Sequence, residues 1–226
     1  MALSEAEHDR IAAAVAAAEE KTAGEIYCVL APRVSDYRET PLAWAAGAAL
    51  VAPALAVLAG WRPETLLEAV NGWSAGHEGG SSFAPLAVYA LTQAVIFLLA
   101  ALLVTAGPVR RWLTPASLKA ERVHRAAMEQ FLAKGLHLTQ GRTGVLLFAS
   151  LAERRAEVIA DEGIYTAAPN AVWDDVVQLL IAGLERKSPA DGFVAAIKRS
   201  GEILAEHVPP TPDNPNELPD RLVELP

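Results

Sequence analysis

Two stretches of this chain, Leu42–Trp61 (LAWAAGAALVAPALAVLAGW) and Phe83–Gly107 (FAPLAVYALTQAVIFLLAALLVTAG), contain no charged residue. A helix needs about 20 apolar residues to cross a hydrocarbon layer of about 30 Å, and both stretches reach that length. The alternative, a helical hairpin buried in a soluble core, asks for a polar face that neither segment keeps. Trp44, Trp61 and Trp112 stand near the ends of the runs, where interfacial aromatic residues gather. The two segments therefore predict a transmembrane hairpin, residues 41–107, and they account for a hydrophobic content of 52%.

Basic residues orient the hairpin. Arg33 and Arg38 precede it, and Arg110, Arg111, Lys119, Arg122 and Arg125 follow it, whereas Arg62 is the one basic residue between the spans. Positive flanks stay on the cytoplasmic side, which predicts cytoplasmic termini and an outer loop at 62–82. In that loop, RPETLLEAVNGW reads as a short interfacial helix, and His77 with Glu78 reads as part of a solvated turn rather than a metal site. The N-terminus reads as a helix, not as a signal peptide. Cys28 is the single cysteine, which rules out an intrachain disulfide and a cysteine metal cluster. The net charge of -8 argues against a nucleic-acid partner.

The polar remainder alternates helix and strand. Ser4 and Glu7 form a capping box ahead of an alanine-rich helix that Gly24 stops. Glu25–Ala31 (EIYCVLA) is apolar enough for a buried strand. After the hairpin, Thr114 and Pro115 start a helix that runs to about His137, carrying His124 among its surface residues. Then TGVLLFASL, AERR and AEVIAD read as strand, turn and strand. Asn170 caps a helix with an apolar face of Val172, Trp173, Val176, Val177, Leu180 and Leu184, and Ser188–Pro189 opens the next helix. A lone strand at Glu25–Ala31 has no partner unless it joins the later ones. Residues 1–40 and 108–208 should thus build one α/β domain interrupted by the hairpin, followed by a proline-rich acidic tail at 209–226.

In TAGEIYCVLA, in GRTGVLLFASLAERRAEVIADEGI, and in the tryptophan followed by two amphipathic helices, the chain resembles the TPM domain family. It looks most like the bacterial branch with two spans inserted after the first strand, which the closing NELPDRLVEL also resembles. The resemblance implies an α/β/α sandwich with a small central sheet, in the bacterial inner membrane. It implies one of two roles: an auxiliary or assembly factor for a membrane protein complex, or a phosphatase that binds calcium or magnesium. The chain departs from the family in having Arg142, Thr143 and Gly144 where Asn-Gly is usual, and Asp161, Glu162 and Gly163 where Gly-x-Gly is usual.

Those departures frame the candidate chemistry. Asp161 and Glu162, with Asp174 or Asp175, have the oxygen donors that Ca2+ or Mg2+ prefers, and a metal there would polarise a phosphoryl oxygen. The same acids also suit a turn and a helix start. Arg154 and Arg155 in the hairpin turn could hold a phosphate or an acidic lipid headgroup, at the end of the sheet opposite Asp161 if the hairpin is regular. In the tail, Leu218, Leu222, Val223 and Leu225 read as anchors for docking on another protein.

Overall fold

The computed structural model describes residues 3–62, 65, 83–105, 107–139, 141–210 and 216–226. Apart from Arg62 and Thr65, the outer loop lies outside the described residues, and with it the expected interfacial helix and the pair His77 and Glu78.

Strands β1 (Glu25–Ala31) and β2 (Gly144–Ser150) pair in parallel along their whole length, Glu25 opposite Gly144 and Ala31 opposite Ser150. All residues of both strands are buried, as central parallel strands covered on both faces are. Strand β3 (Arg155–Ala160) returns antiparallel on β2, and β4 (Val223–Glu224) adds to the far side of β1, giving the order β3-β2-β1-β4.

Alternation along the strands divides the core in two. Ile26, Cys28, Leu30, Val145, Leu147 and Ala149 face a layer of helices α1 (Glu5–Glu19), α7 (Trp173–Glu185) and α8 (Pro189–His207). Tyr27, Val29, Ala31, Leu146 and Phe148 face α5 (Ala116–Ala133) through Val123, Ala127 and Phe131. The result is an α/β/α sandwich with a small central sheet. Helices α7 and α8 approach closely where Gly183 meets Gly192: a Cβ on Gly183 would stand 2.5 Å from the Gly192 Cα. The capping box forms, Glu7 N–H donating to Ser4 Oγ (3.3 Å) and Ser4 N–H to Glu7 Oε2 (2.8 Å). Burial pushes the Cys28 thiol far up, so this cysteine is core packing rather than a nucleophile.

Two boundaries differ from the sequence reading. Helix α5 ends at Ala133 because Gly135 turns left-handed (φ 73°), and Leu136–Leu138 forms a short 3-10 turn. Asn170 begins a 3-10 turn, Asn170–Val172, instead of capping the following α-helix.

The tail is the larger correction. Leu222 is buried in the first core, while Leu218, Val223 and Leu225 pack against the second. Leu225 N–H donates to the Leu30 carbonyl at 2.9 Å. These four residues are spent on the chain's own sheet, where β1 offers an open edge, and are not anchors for another protein. One buried carboxyl secures the attachment, and a half-buried one ties α1 to β1. Glu25, 2% exposed, accepts the Leu218 N–H at 3.2 Å, and Glu19 accepts the Ile26 N–H at 2.7 Å. Burial, reinforced by repulsion from Glu25 and Asp220, pushes Glu19 up to about 8 against the Ile26 N–H, and burial likewise raises Glu25.

Residues 1–35 and 116–226 make up this α/β unit, and residues 36–115 form a second unit. In the latter, α2 (Glu39–Leu58) and α3 (Ala84–Thr105) are joined to α4 (Gly107–Leu113). Trp44 Nε1 donates to the Leu113 carbonyl at 3.2 Å. Helix α2 carries Pro53 in its interior, which spanning helices tolerate better than soluble ones. Segments Glu39–Leu58 and Pro85–Thr105, with mean hydropathies of 1.9 and 2.4, are long and apolar enough to cross a membrane.

Leu222→Ala should cost about 2–5 kcal/mol of stability, measured by denaturation of the detergent-solubilised chain; no change would show the tail to be dispensable. A carboxyl raised in the folded state binds its proton more tightly there than in the unfolded chain. Glu19 thus contributes its full stability below 4.5, and that contribution is lost as pH rises towards about 8. Glu19→Gln keeps an acceptor for Ile26, so it should flatten the fall in melting temperature over that interval and leave the variant more stable than wild type above pH 8.

Candidate functional site

At the end of β3 the chain passes from Ala160 into Asp161, which is the N-cap of the short helix α6 (Glu162–Ala167). Asp161 Oδ1 accepts the Glu162 N–H at 2.8 Å, as a capping carboxylate does. Across from it, the loop between α5 and β2 turns through two left-handed residues, Gly141 (φ 82°) and Arg142 (φ 56°). That turn aims the Arg142 guanidinium at the acids. Nε and Nη2 donate to the two Asp161 oxygens at 3.2 and 3.0 Å, and Nη1 lies 3.1 Å from Glu162 Oε2. The backbones close behind this fork. Gly163 N–H donates to the Arg142 carbonyl at 3.1 Å, and a Cβ on Gly163 would stand 2.4 Å from the Gly141 carbonyl oxygen. Only glycine fits there.

The electrostatics follow from the geometry. Asp161 is 5% exposed, and burial alone would raise its carboxyl. The Arg142 hydrogen bonds, the Glu162 N–H and the positive charge of Arg142 together outweigh burial and hold the group below the ordinary carboxylate value. A carboxylate with both oxygens so engaged is a latch between two loops; it has little capacity left for a metal or a proton in transit.

The other expected ligands do not converge on it. Asp174 and Asp175 lie in the first turn of α7, where Asp175 pairs with Arg199 at 3.7 Å. Among the described residues, no three His, Cys, Asp or Glu side chains come together as a metal-binding group. The set Asp161, Glu162, Asp174 and Asp175 is thus corrected to a bidentate ion pair plus helix-start acids, because Arg142 supplies the positive charge that a cation would have brought. Arg142 stood out in the sequence as a departure from Asn-Gly, but its pairing across 19 positions is set by tertiary structure.

Arg154 and Arg155 sit at the opposite end of the hairpin, where Ser150 pairs with Arg155, far along the strand from the Val145–Ala160 pair. Arg155 Nη2 donates to the Ala116 carbonyl at 3.2 Å, and Arg154 holds a left-handed turn (φ 50°). The two ends of the hairpin do not share a site.

Sequence reading missed a cleft along β3. Its floor is Ala156–Ala160, and its walls are His124 and Met128 of α5, Tyr165 of α6, and Trp173 and Asp174 of α7, enclosing about 400 Å³. His124 Nδ1 meets Glu157 Oε1 at 2.8 Å on one wall.

Arg142→Ala, which strands a buried carboxylate, should cost about 1–3 kcal/mol at neutral pH. A depressed carboxylate stabilises above its unfolded value and loses that contribution as pH falls through its folded one. The penalty of Arg142→Ala should therefore shrink as the solution is acidified below pH 4, read as converging melting temperatures of the two proteins. A penalty independent of pH would deny the latch its charge.

Residues 99–203 match the model of the TPM domain family. No curated protein matches the chain. Among solved structures, the NMR structure of the BA42 protein from the psychrophilic bacterium Bizionia argentinensis is similar in fold. That comparison gives a TM-score of 0.56 and 16% identity over 99% of this chain and 96% of that one. The strand hairpin, the latch at its end, helices α5 to α7 and α8 as far as Ile203 lie inside the matched segment, so residues 99–203 of this chain match a TPM domain.

Proposed function

We propose that the protein is a membrane-anchored TPM-domain factor of the bacterial inner membrane. Its α/β unit works in the cytoplasm by binding a protein complex of the same bilayer, as an auxiliary or assembly subunit. The observation that carries this reading is the outward face of the second unit. Leu42, Leu50, Leu55 and Leu58 on α2, and Leu98, Leu99, Leu102 and Leu103 on α3, are between 59% and 84% exposed. An apolar surface of that extent is unsustainable in water and natural in lipid or against foreign helices. The basic flanks, Arg33 and Arg38 before the hairpin and Arg110 and Arg111 after it, favour cytoplasmic termini. The engaged state of the Asp161 carboxylate supports a binding role over hydrolysis.

Orientation is tested with a single reporter, because Cys28 is buried. A Glu206→Cys variant, at an exposed position of α8, should resist a membrane-impermeant maleimide in intact cells and react after lysis. Labelling of intact cells would overturn the orientation. Full-length chain extracted in mild detergent should carry one membrane protein in stoichiometric amount; a chain that always purifies alone would sink the binding role.

A further inference from the structure

The sheet has two edges, and they are treated differently. The β4 edge is two residues long, with Pro219 and Pro226 nearby, a usual defence against unwanted strand pairing. The β3 edge spans six residues, with neither proline nor lysine among them. The hydrogen-bond register shows which of its backbone groups are unused. Asp161 N–H donates to the Gly144 carbonyl, so Asp161–Gly144 is a hydrogen-bonded pair, and in an antiparallel ladder such pairs alternate. Ile159 and Glu157 therefore bond inward to Leu146 and Phe148, while Ala156, Val158 and Ala160 direct N–H and C=O away from the sheet. No described residue bonds these outward groups. They line the floor of the cleft between α5 and α7.

We propose that this edge is a docking groove for one extended, basic peptide strand of a partner protein, an inference that rests on the binding role proposed above. Recess decides against a second copy: an edge flanked by its own helices does not reach another edge flanked in the same way, whereas a single strand fits between the walls. Charge decides the chemistry. Among the described residues, the acids of the lining are Glu157 and Asp174, and no lysine or arginine lines it. Glu157 is paired with His124, and among the described residues Asp174 has no ion-pair partner. An incoming strand would pair its main chain with Ala156, Val158 and Ala160, set small or apolar side chains beside Trp173, and place a lysine or arginine at Asp174. Strand addition of this kind takes affinity from the main chain and selectivity from alternate side chains.

The test uses the full-length chain in mild detergent and the blocked octapeptide Lys-Val-Lys-Val-Lys-Val-Lys-Val, with a Glu-for-Lys counterpart, read by amide hydrogen exchange. The lysine peptide should slow exchange at Ala156, Val158 and Ala160 by about tenfold or more, and the glutamate peptide should do so less. Val158→Pro removes an N–H that the sheet does not use; it should abolish the protection while the β1 and β2 amides keep theirs. Asp174→Lys, on an exposed helix turn, should weaken the lysine peptide about threefold and needs no change in the strand. Equal protection by both peptides, protection elsewhere or none, or protection that grows with protein concentration in the absence of peptide would each overturn the groove. Co-purification separates this proposal from the one beneath it. A partner retained by both variants sinks the groove alone, and a chain that binds the peptide yet purifies without a membrane partner sinks the binding role alone.

Discussion

Parallel pairing between Glu25–Ala31 and Gly144–Ser150 is the contact on which the rest of this molecule hangs. Seven consecutive register pairs join segments separated by the whole hydrophobic hairpin, so the α/β unit exists only when both flanks of the hairpin lie on the same side. A hairpin returns the chain to the side it left. An odd number of spans would strand β1 across the bilayer, and its buried backbone groups would have no ladder to satisfy them. Two membrane-length apolar helices among the described residues meet that constraint, as an odd number would not.

At the end of the sheet where β1 and β2 begin, charge is used as a fastening. Asp161 is ionised and forked by Arg142, while half-buried Glu19 and buried Glu25 accept from backbone N–H groups with their carboxyls raised. One fastening strengthens as carboxylates ionise and the other weakens. The first ties the loop ahead of β2 to the helix after β3, and the second ties helix α1 and the tail to β1. This chemistry is structural on both counts. Arginine provides what a divalent cation would otherwise provide, a positive charge shared between Asp161 and Glu162.

The interrupted α/β domain and the strand hairpin were legible in the sequence because they follow from local pattern: apolar runs of strand length, amphipathic helices and a requirement that no strand stay unpaired; the layered sandwich came from the resemblance to the TPM family. The stop at Gly135 was passed over when the helix was read on to about His137, although glycine beyond a helix is a termination signal. Other features were beyond local reading. Leu218, Leu222, Val223 and Leu225 look alike whether they pack on their own sheet or on another protein; the open edge of β1 decides it. Asp161 looks alike as ligand or cap, and only the left-handed turn at Arg142 brings the guanidinium within reach. The cleft along β3 depends on how far α5 and α7 stand from an edge, a distance that no residue pattern encodes.

The interrupted sheet also imposes an order in time. Chains are made at about 5–20 residues per second, and domains fold as they appear. Residues 25–31 leave the ribosome well over a hundred positions ahead of residues 144–150, a lag of roughly 5 to 25 seconds at that pace. Throughout it β1, apolar from Ile26 to Ala31 apart from the Tyr27 hydroxyl, is a strand without its main neighbour. Local helix formation takes microseconds, so α1 is complete long before its strand has anything to pair with. The long apolar insertion between the strands thereby makes the newborn chain wait, and the β1 segment, cysteine included, is exposed to any chaperone or competing strand in the meantime.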